Sequence, residues 1–119
     1  METIKKLYSG EMTDGIINAG NRVLLYATGI GREEMQKPFI GVINSWNEMH
    51  PGHKHLRELS AAVKEGVIAG GGQPFECNTI AICDGITQAH NGMCYVLPSR
   101  DLIADSVEVM AESQRLPAG

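Results

Sequence analysis

The sequence has few cysteines, no excess of basic residues and no long apolar run. Its three cysteines among 119 residues follow the spacing C-x5-C-x10-C. This odd number does not indicate a disulfide framework, so we expect a reduced, cytoplasmic protein. The 10 Lys and Arg against 14 Asp and Glu give a net charge of −4, which argues against a nucleic-acid-binding surface. Because no run of about 18 apolar residues occurs, the sequence predicts no membrane-spanning segment.

Internal repeats, low-complexity tracts and Pro/Ser-rich linkers are also missing, so the chain length predicts one small domain. With 43% hydrophobic and 20% charged residues, the composition is that of an ordinary globular protein. Residues 1–14 are polar and lack the apolar centre of a secretory signal. We expect them to form an N-terminal arm, which leaves residues 15–119 for the α/β domain.

A strand–helix–strand pattern occupies the middle of the chain. Residues 38–44 are a short apolar run rich in β-branched side chains, which predicts a strand buried on both faces. Residues 56–67 show an amphipathic helical pattern, and the three glycines at 70–72 end it. Residues 75–83 predict a second strand, strongest over 79–82. This order is a βαβ unit, whose strands are parallel and joined by a right-handed crossover.

Helical patterns flank this unit on both sides. Residues 15–26 predict an imperfect helix that ends at Gly29. A last helix begins at a Ser99 cap, and its apolar stripe consists of Leu102, Ile103, Val107 and Met110. The predicted fold class is therefore α/β, a parallel βαβ core with helices on both faces. Because such a sheet needs further strands to cover its edges, we expect an incomplete piece of a larger α/β/α sandwich domain.

Polar segments follow both predicted strands, at the edge of a parallel sheet where ligands bind. Asp84 leaves the second strand directly before Gly85. Its carboxylate there is suited to a hard cation such as Mg²⁺. The alternative is that Asp84 caps a turn or a helix through its side chain.

Other candidate ligands show weaker patterns. Three histidines lie close together at His50, His53 and His55, but they lack the usual spacing of zinc ligands. The three cysteines include no closely spaced pair of the kind that iron–sulfur clusters use. His90 has the chemistry of an acid or base but no visible partner. The residues alone therefore predict a polar site at the strand ends and do not define a reaction.

Several motifs together resemble one known family. KPFIGVINSWNEMHPGHKHL, GGGQPFECNTIAICDGI and GMCYVLPSRDLIADSVEVM are similar to the N-terminal part of the dihydroxy-acid dehydratase and 6-phosphogluconate dehydratase family. AGNRVLLYATGI fits the family's usual opening, so the resemblance covers about residues 14–115. It implies a hydro-lyase that converts 2,3-dihydroxy-3-methyl acids into 2-oxo acids in valine and isoleucine synthesis. The alternatives are a sister dehydratase of a sugar acid and, in another class, a free-standing flavodoxin-like binding module.

The resemblance also implies site residues. Asp84, in the motif C-D-G, matches the family's Mg²⁺-binding aspartate. Ser45, Asn47 and His53 are candidates for groups that contact the substrate or support the site. Gly52 stands where members with a [2Fe–2S] cluster carry a further cysteine, so the cluster type, [4Fe–4S] or [2Fe–2S], stays open.

The main catalytic residues of the family lie in later motifs that this chain does not contain. We therefore expect the chain alone to be inactive and to bind no cofactor, whereas the full-length enzyme would hold an iron–sulfur cluster and Mg²⁺. Its implied partners are a small dihydroxy-acid or sugar-acid substrate and the remainder of its own polypeptide. The intact enzyme would be a homo-oligomer, dimer or tetramer, without nucleic acid or membrane.

Overall fold

A computed structural model of the protein describes Leu7 and residues 9–116, so the predicted arm over residues 1–14 lies partly outside the described residues. In chain order the elements are α1 (Gly10–Thr13), a 3-10 helix (Ile16–Asn18), α2 (Ala19–Ala27), α3 (Arg32–Met35), β1 (Phe39–Asn44), α4 (Leu56–Ala69), β2 (Gln73–Asn78), α5 (Asp84–Thr87), a second 3-10 helix (Asn91–Tyr95) and α6 (Val96–Ser113). The predicted α/β class is confirmed.

The two strands pair in parallel, as the βαβ pattern predicted. Their register runs from Phe39 opposite Gln73 to Asn44 opposite Asn78. The sheet contains two strands over the residues that the structure describes. Each strand therefore has one unpaired edge there. The prediction that the first strand is buried on both faces is confirmed at Phe39 and Val42 but is wrong towards its end. Ile43 of β1, for example, is 39% exposed.

The predicted bounds of the second strand are also wrong. β2 begins at Gln73 and ends at Asn78, whereas residues 79–83 form no regular structure. The cause is the length of the partner strand, because β1 ends at Asn44 and the chain then turns away. Thr79 makes the last contact between them, its backbone N–H donating to the Asn44 carbonyl at 2.8 Å. The apolar pattern over 79–82 therefore has no strand to pair with.

α4 covers one face of the sheet, as its amphipathic pattern predicted. Its side chains lie against Ile40 and Val42 of β1. Ser60 is the residue of α4 that becomes fully buried. The helix ends where the three glycines begin, and Gly71 has a φ of +90°, a left-handed conformation that glycine adopts without steric cost.

The opposite face of the sheet carries the hydrophobic core. Phe39 is its centre, with 1% of its surface exposed, and its ring lies 4.8 Å from that of Phe75. The other buried members of this cluster are Ile30, Met35 and Leu116. Because Leu116 follows α6, the last helix closes the core from the side opposite α4. Helices therefore lie on both faces of the sheet, as predicted.

The outer helices differ in detail from their patterns. The predicted helix over 15–26 is a 3-10 helix followed by α2, and it ends at Gly29, whose φ is +99°. The predicted Ser99 cap is wrong, because α6 begins at Val96. The Ser99 hydroxyl lies inside the first turn and donates to the Val96 carbonyl at 2.6 Å.

Much apolar surface remains exposed. Ile16 and Ile17 are each 93% exposed, and Leu24 is 71% exposed. The Cα radius of gyration is 17.6 Å, whereas a compact domain of this length has about 13–14 Å.

None of the described helices is both long and apolar enough to cross a membrane.

Candidate functional site

The loop after β1 is held in place by bonds from its own side chains. The Asn44 Oδ1 accepts from the Trp46 backbone N–H at 2.8 Å and so turns the chain at the strand end. The Trp46 indole N–H donates to the Lys54 carbonyl at 3.1 Å. The Arg57 guanidinium lies 3.7 Å from the centre of the Trp46 ring, a distance typical of a cation–π contact. These contacts fold residues 45–55 back over the end of the sheet.

Ser45 and His53 meet at the base of this loop. The His53 Nδ1 lies 2.9 Å from the Ser45 carbonyl oxygen and 3.0 Å from the Ser45 hydroxyl. Because a carbonyl oxygen can only accept, Nδ1 carries the proton and donates. In the neutral form of the ring, the lone pair is then on the Nε2 atom of His53. The His50 ring stacks on that of His53, with 3.7 Å between centroids and 9° between planes.

A polar network supports the same end of β1 from the α4 side. The Asn44 Nδ2 donates to Glu76 Oε1 at 2.8 Å, and Lys64 Nζ lies 2.8 Å from Glu76 Oε2. The hydrogen bond from Lys64 lowers the pKa of Glu76 below its usual value against the opposing effect of partial burial, and Asn44 acts in the same direction as Lys64. The network therefore requires an ionised Glu76.

This network predicts an acid-dependent contribution to stability. Because the pKa of Glu76 is lowered in the folded state, its contribution is present above the unfolded pKa of about 4.3 and is lost as the pH falls through the folded value. The pair is partly exposed, so it contributes roughly 0–1 kcal/mol. We expect Glu76→Gln to lower the melting temperature by a few degrees at pH 7, and we expect this difference to shrink as the pH falls below about 4.

Glu65→Gln is the matched control, since Glu65 is an exposed neighbour of Lys64 on α4. Thermal melting of the three proteins between pH 3 and pH 7 measures the effect. A difference between Glu76→Gln and the unsubstituted protein that stays constant over this pH range would contradict the ionised network.

Asp84 follows the extended segment after β2 and is the first residue of α5. The alternative, a capping role, has no contact to support it, because the Asp84 carboxylate forms no hydrogen bond or ion pair with any residue that the structure describes. The hydroxyl that bonds within this turn is that of Thr87, which donates to the carbonyls of Cys83 and Asp84 at 3.2 Å each. The Asp84 side chain is exposed and its carboxylate oxygens are available to a ligand.

Asp84, Ser45 and His53 lie around one cavity of about 200 Å³ at the carboxyl ends of the strands. The extended segment after β2 and the first turns of α6 form its other walls. These contribute apolar side chains, namely Ile80, Ile82, Val96 and Ile103. The cavity is smaller than the roughly 300–1,000 Å³ of sites for drug-sized ligands. Its size and mixed lining suit a small molecule with polar and apolar parts.

Three further polar residues line the cavity, namely His50, Ser99 and Arg100. The sequence offered His50 only as a weak metal-ligand candidate, and it did not predict Ser99 or Arg100 as site residues. Ser99 and Arg100 come to the cavity because the short connection through α5 and the second 3-10 helix returns α6 to the strand ends. The sequence signal that could have indicated them is the position of a Ser-Arg pair close to a helix start, one connection after Asp84.

Two predicted residues stand apart from this cavity. The Asn47 Oδ1 accepts from the Met49 backbone N–H at 2.7 Å and closes a turn in the loop, and Asn47 is not among the residues that line the cavity. Gly52 is exposed, and a side-chain carbon built on it would lie 3.3 Å from His50 Cε1. Glycine therefore allows the His50 ring its present position.

The His90 side chain forms hydrogen bonds with backbone groups and does not line the cavity. Its Nε2 lies 2.8 Å from the Ile86 carbonyl oxygen and therefore donates to it. Its Nδ1 accepts from the Gly92 N–H at 3.0 Å. Both ring nitrogens are used, which agrees with its lack of a visible catalytic partner in the sequence.

The three cysteines are unsuited to bind a metal cluster together. Burial raises the pKa of the partly buried Cys77 thiol. Cys83 is partly buried beside Asp84, whereas Cys94 is exposed in the second 3-10 helix. No group of three His, Cys, Asp or Glu side chains within the described part of the chain could hold a metal ion.

The sequence matches one protein family over most of its length. The family described as dihydroxy-acid/6-phosphogluconate dehydratase, N-terminal, matches residues 37–119. This range includes both strands, α4, Asp84 and α6. The chain belongs to this family. The residues around the cavity are therefore the N-terminal residues of a dehydratase-family fold.

Curated relatives of this dehydratase family agree with the match. The chain is 57% identical over 107 residues to a protein named dihydroxy-acid dehydratase from Methanococcus maripaludis strain C7, which covers 90% of this chain and 20% of that protein. Proteins of the same name from Methanospirillum hungatei JF-1 and Archaeoglobus fulgidus are 54% and 53% identical over the same shares. The chain spans about a fifth of the length of the curated relatives it matches.

Proposed function

We propose that this chain forms the N-terminal part of a dihydroxy-acid dehydratase. Such a hydro-lyase converts 2,3-dihydroxy-3-methyl acids into 2-oxo acids in the synthesis of valine and isoleucine. The observation that carries the proposal is Asp84, a carboxylate without a structural role beside a small cavity at the carboxyl ends of parallel strands. The relatives also support the proposal, because they share the name dihydroxy-acid dehydratase.

The residues of the cavity fit a divalent cation in part. A hard cation such as Mg²⁺ prefers carboxylate oxygens, and Asp84 offers two. When bound, Mg²⁺ would hold the substrate's oxygens and make the proton on C2 more acidic. Its remaining protein ligands would come from the rest of the polypeptide, since the described residues contain no complete set.

The described cysteines do not fit an iron–sulfur cluster, because none of them lines the cavity and no group of three His, Cys, Asp or Glu side chains among the described residues could hold a metal ion. A [4Fe–4S] or [2Fe–2S] cluster in the full-length enzyme would therefore take its ligands from outside this chain. We propose accordingly that the chain alone binds neither cofactor. The intact enzyme is expected to act in the cytoplasm as a homo-oligomer.

The chain's own residues orient the substrate and limit its size. Asp84 provides negative charge at one side of the cavity, where the oxygens of a bound acid and its cation gather. The Ser45 hydroxyl and the free Nε2 of His53 are available to accept from substrate hydroxyl groups, in supporting roles. The isoleucines and Val96 provide apolar walls for alkyl groups. Holding the reacting carbons in one orientation lowers the entropic part of the barrier.

The apolar walls favour a branched acid over a phosphorylated sugar acid. Ile80, Ile82 and Ile103 offer no hydrogen bonds to a chain of hydroxyl groups. The Thr87 hydroxyl, close to Asp84, bonds within α5 and is not available to such a substrate. A free-standing binding module is disfavoured because so much apolar surface of the described residues is uncovered.

Turnover by the complete protein tests this proposal. We expect 2,3-dihydroxy-3-methylbutanoate to be dehydrated to 3-methyl-2-oxobutanoate with a kcat/KM at least about 100-fold above that for 6-phosphogluconate, because an unpaired phosphate near apolar walls costs several kcal/mol. A chimera in which this segment replaces the matching fifth of the Methanococcus maripaludis protein is the control for correct assembly. A preference for 6-phosphogluconate would overturn the proposal in favour of the sister reaction.

A further inference from the structure

Among the residues that the structure describes, the Arg100 guanidinium has no partner, and it lies beside the candidate site. It lies in the second turn of α6 and lines the same cavity as Asp84. Most other arginines have contacts: Arg22 donates to the Thr13 carbonyl, Arg57 lies over Trp46, and Arg115 pairs with Glu11. No hydrogen bond or ion pair forms at the Arg100 side chain within the described ranges.

The side chains of Arg100 and Asp84 line the same cavity but do not form an ion pair with each other. No ion pair joins them over residues 9–116, and both side chains are exposed at the cavity, so both charges are accessible to a ligand. Ser99 fixes the first turn of α6 through its bond to the Val96 carbonyl, so the backbone from which Arg100 projects is well defined. A ligand with an anionic group at one end and cation-binding oxygens nearby fits between these two charges.

We propose that Arg100 binds the carboxylate group of the substrate and thereby sets its orientation relative to Asp84. This inference rests on the proposed function and extends it by one binding residue. The planar guanidinium offers paired N–H donors that match the two oxygens of a carboxylate. The start of the 18-residue helix α6 adds partial positive charge on the same side. The class of ligand is a small 2-hydroxy or 2-oxo carboxylic acid.

Arg100→Gln and Arg100→Lys in the complete protein test this role. KM and kcat are measured with 2,3-dihydroxy-3-methylbutanoate, and the Kd of 3-methyl-2-oxobutanoate is measured by calorimetry. We expect Arg100→Gln to raise both KM and Kd about 10- to 100-fold, the effect of removing a charged hydrogen-bond partner. Arg100→Lys keeps the charge but loses the paired donors, so it should show an intermediate increase.

Two controls separate a carboxylate contact from a structural role. Arg32→Gln changes an exposed arginine outside the cavity and should leave KM and Kd unchanged. The amide 3-methyl-2-oxobutanamide lacks the charge, so Arg100→Gln should weaken its binding less than threefold. Equal losses for acid and amide would overturn the proposal, because they would mean a disturbed fold.

Failure of this inference is distinguishable from failure of the proposed function. If the unsubstituted protein turns over the dihydroxy acid and Arg100→Gln leaves its KM and Kd unchanged, the Arg100 proposal is wrong and the proposed function stands. If the protein does not turn over the acid but Arg100→Gln still weakens 2-oxo acid binding selectively, the Arg100 proposal stands alone. If neither acid binds to the unsubstituted protein, both are wrong.

Discussion

Asp84→Asn in the complete protein is expected to lower kcat/KM for the dihydroxy acid by about 100-fold or more, with folding unchanged. Asparagine has the shape of aspartate but lacks the negative charge that a hard cation prefers. Loss of a metal ligand is at least as severe as loss of a supporting residue, which costs about 10- to 100-fold. A role in capping would survive the substitution, because Asn caps a helix about as well as Asp.

Asp101→Asn is the matched control for this experiment. Asp101 lies on α6 beside Arg100, is exposed and does not line the cavity. Its substitution removes the same charge from the same region and should leave turnover within about twofold of the unsubstituted protein, as is usual for surface positions. Steady-state turnover at saturating Mg²⁺, thermal melting and iron content are measured for all three proteins. Near-normal turnover of Asp84→Asn would make Asp84 a structural residue.

The 119-residue chain by itself is expected to show no dehydratase turnover, to bind a hydrophobic dye such as ANS and to melt well below the complete protein. Under the proposed function its active-site residues are incomplete, and its exposed apolar side chains include Ile16 and Ile17 in the first 3-10 helix and Val23 and Leu24 in α2. Contiguous apolar surface of this kind marks a contact surface in a folded protein. Because a small, open core buries little apolar area, its free energy of unfolding is low.

Ile17→Gln distinguishes a covered surface from a free one. In the 119-residue chain, Ile17 is 93% exposed, so the substitution should reduce dye binding and change stability by less than about 0.5 kcal/mol. In the complete protein, burial of the same side chain would make the substitution cost about 1.5–3 kcal/mol. Measurable turnover by the isolated chain, or equal stability effects in both proteins, would contradict this account.

The elements that the sequence predicted well are those with short-range causes. The β-branched run of β1 and the apolar stripe of α4 depend on their own side chains. Gly29 and Gly71 have φ values of +99° and +90°. Glycine adopts this left-handed conformation without steric cost, so single residues in the sequence indicate these turns. Local chemistry was therefore sufficient to predict the parallel βαβ unit that brings Asp84 to the strand ends.

The errors arose where a distant partner decides the structure. Residues 79–82 have strong β-propensity, but a strand needs a neighbour, and β1 ends at Asn44 opposite Asn78. Ser99 is a good capping residue, yet the 3-10 helix at Asn91–Tyr95 continues directly into α6 and moves the helix start to Val96. Pairing length and helix continuity are tertiary properties, and intrinsic propensity alone does not reveal them.

The sequence likewise predicted some residues of the candidate site and missed others. Asp84, Ser45 and His53 follow strands, so the topology brought them together as predicted. Arg100 and His50 join them through the path of α6 and the stacking of two histidine rings, which no spacing rule encodes. Asn47 has the same local chemistry as a site residue, but its side chain is used by the turn that it closes.

Cation binding at Asp84 is the most direct test of this account. Binding of Mn²⁺, a spectroscopic substitute for Mg²⁺, is measured by electron paramagnetic resonance in the complete protein, in Asp84→Asn and in Asp101→Asn. We expect one site in the unsubstituted protein and in Asp101→Asn, with the Kd of Mn²⁺ raised about 10-fold or more in Asp84→Asn because one charged oxygen ligand is lost. Equal Mn²⁺ affinity in all three proteins would contradict it.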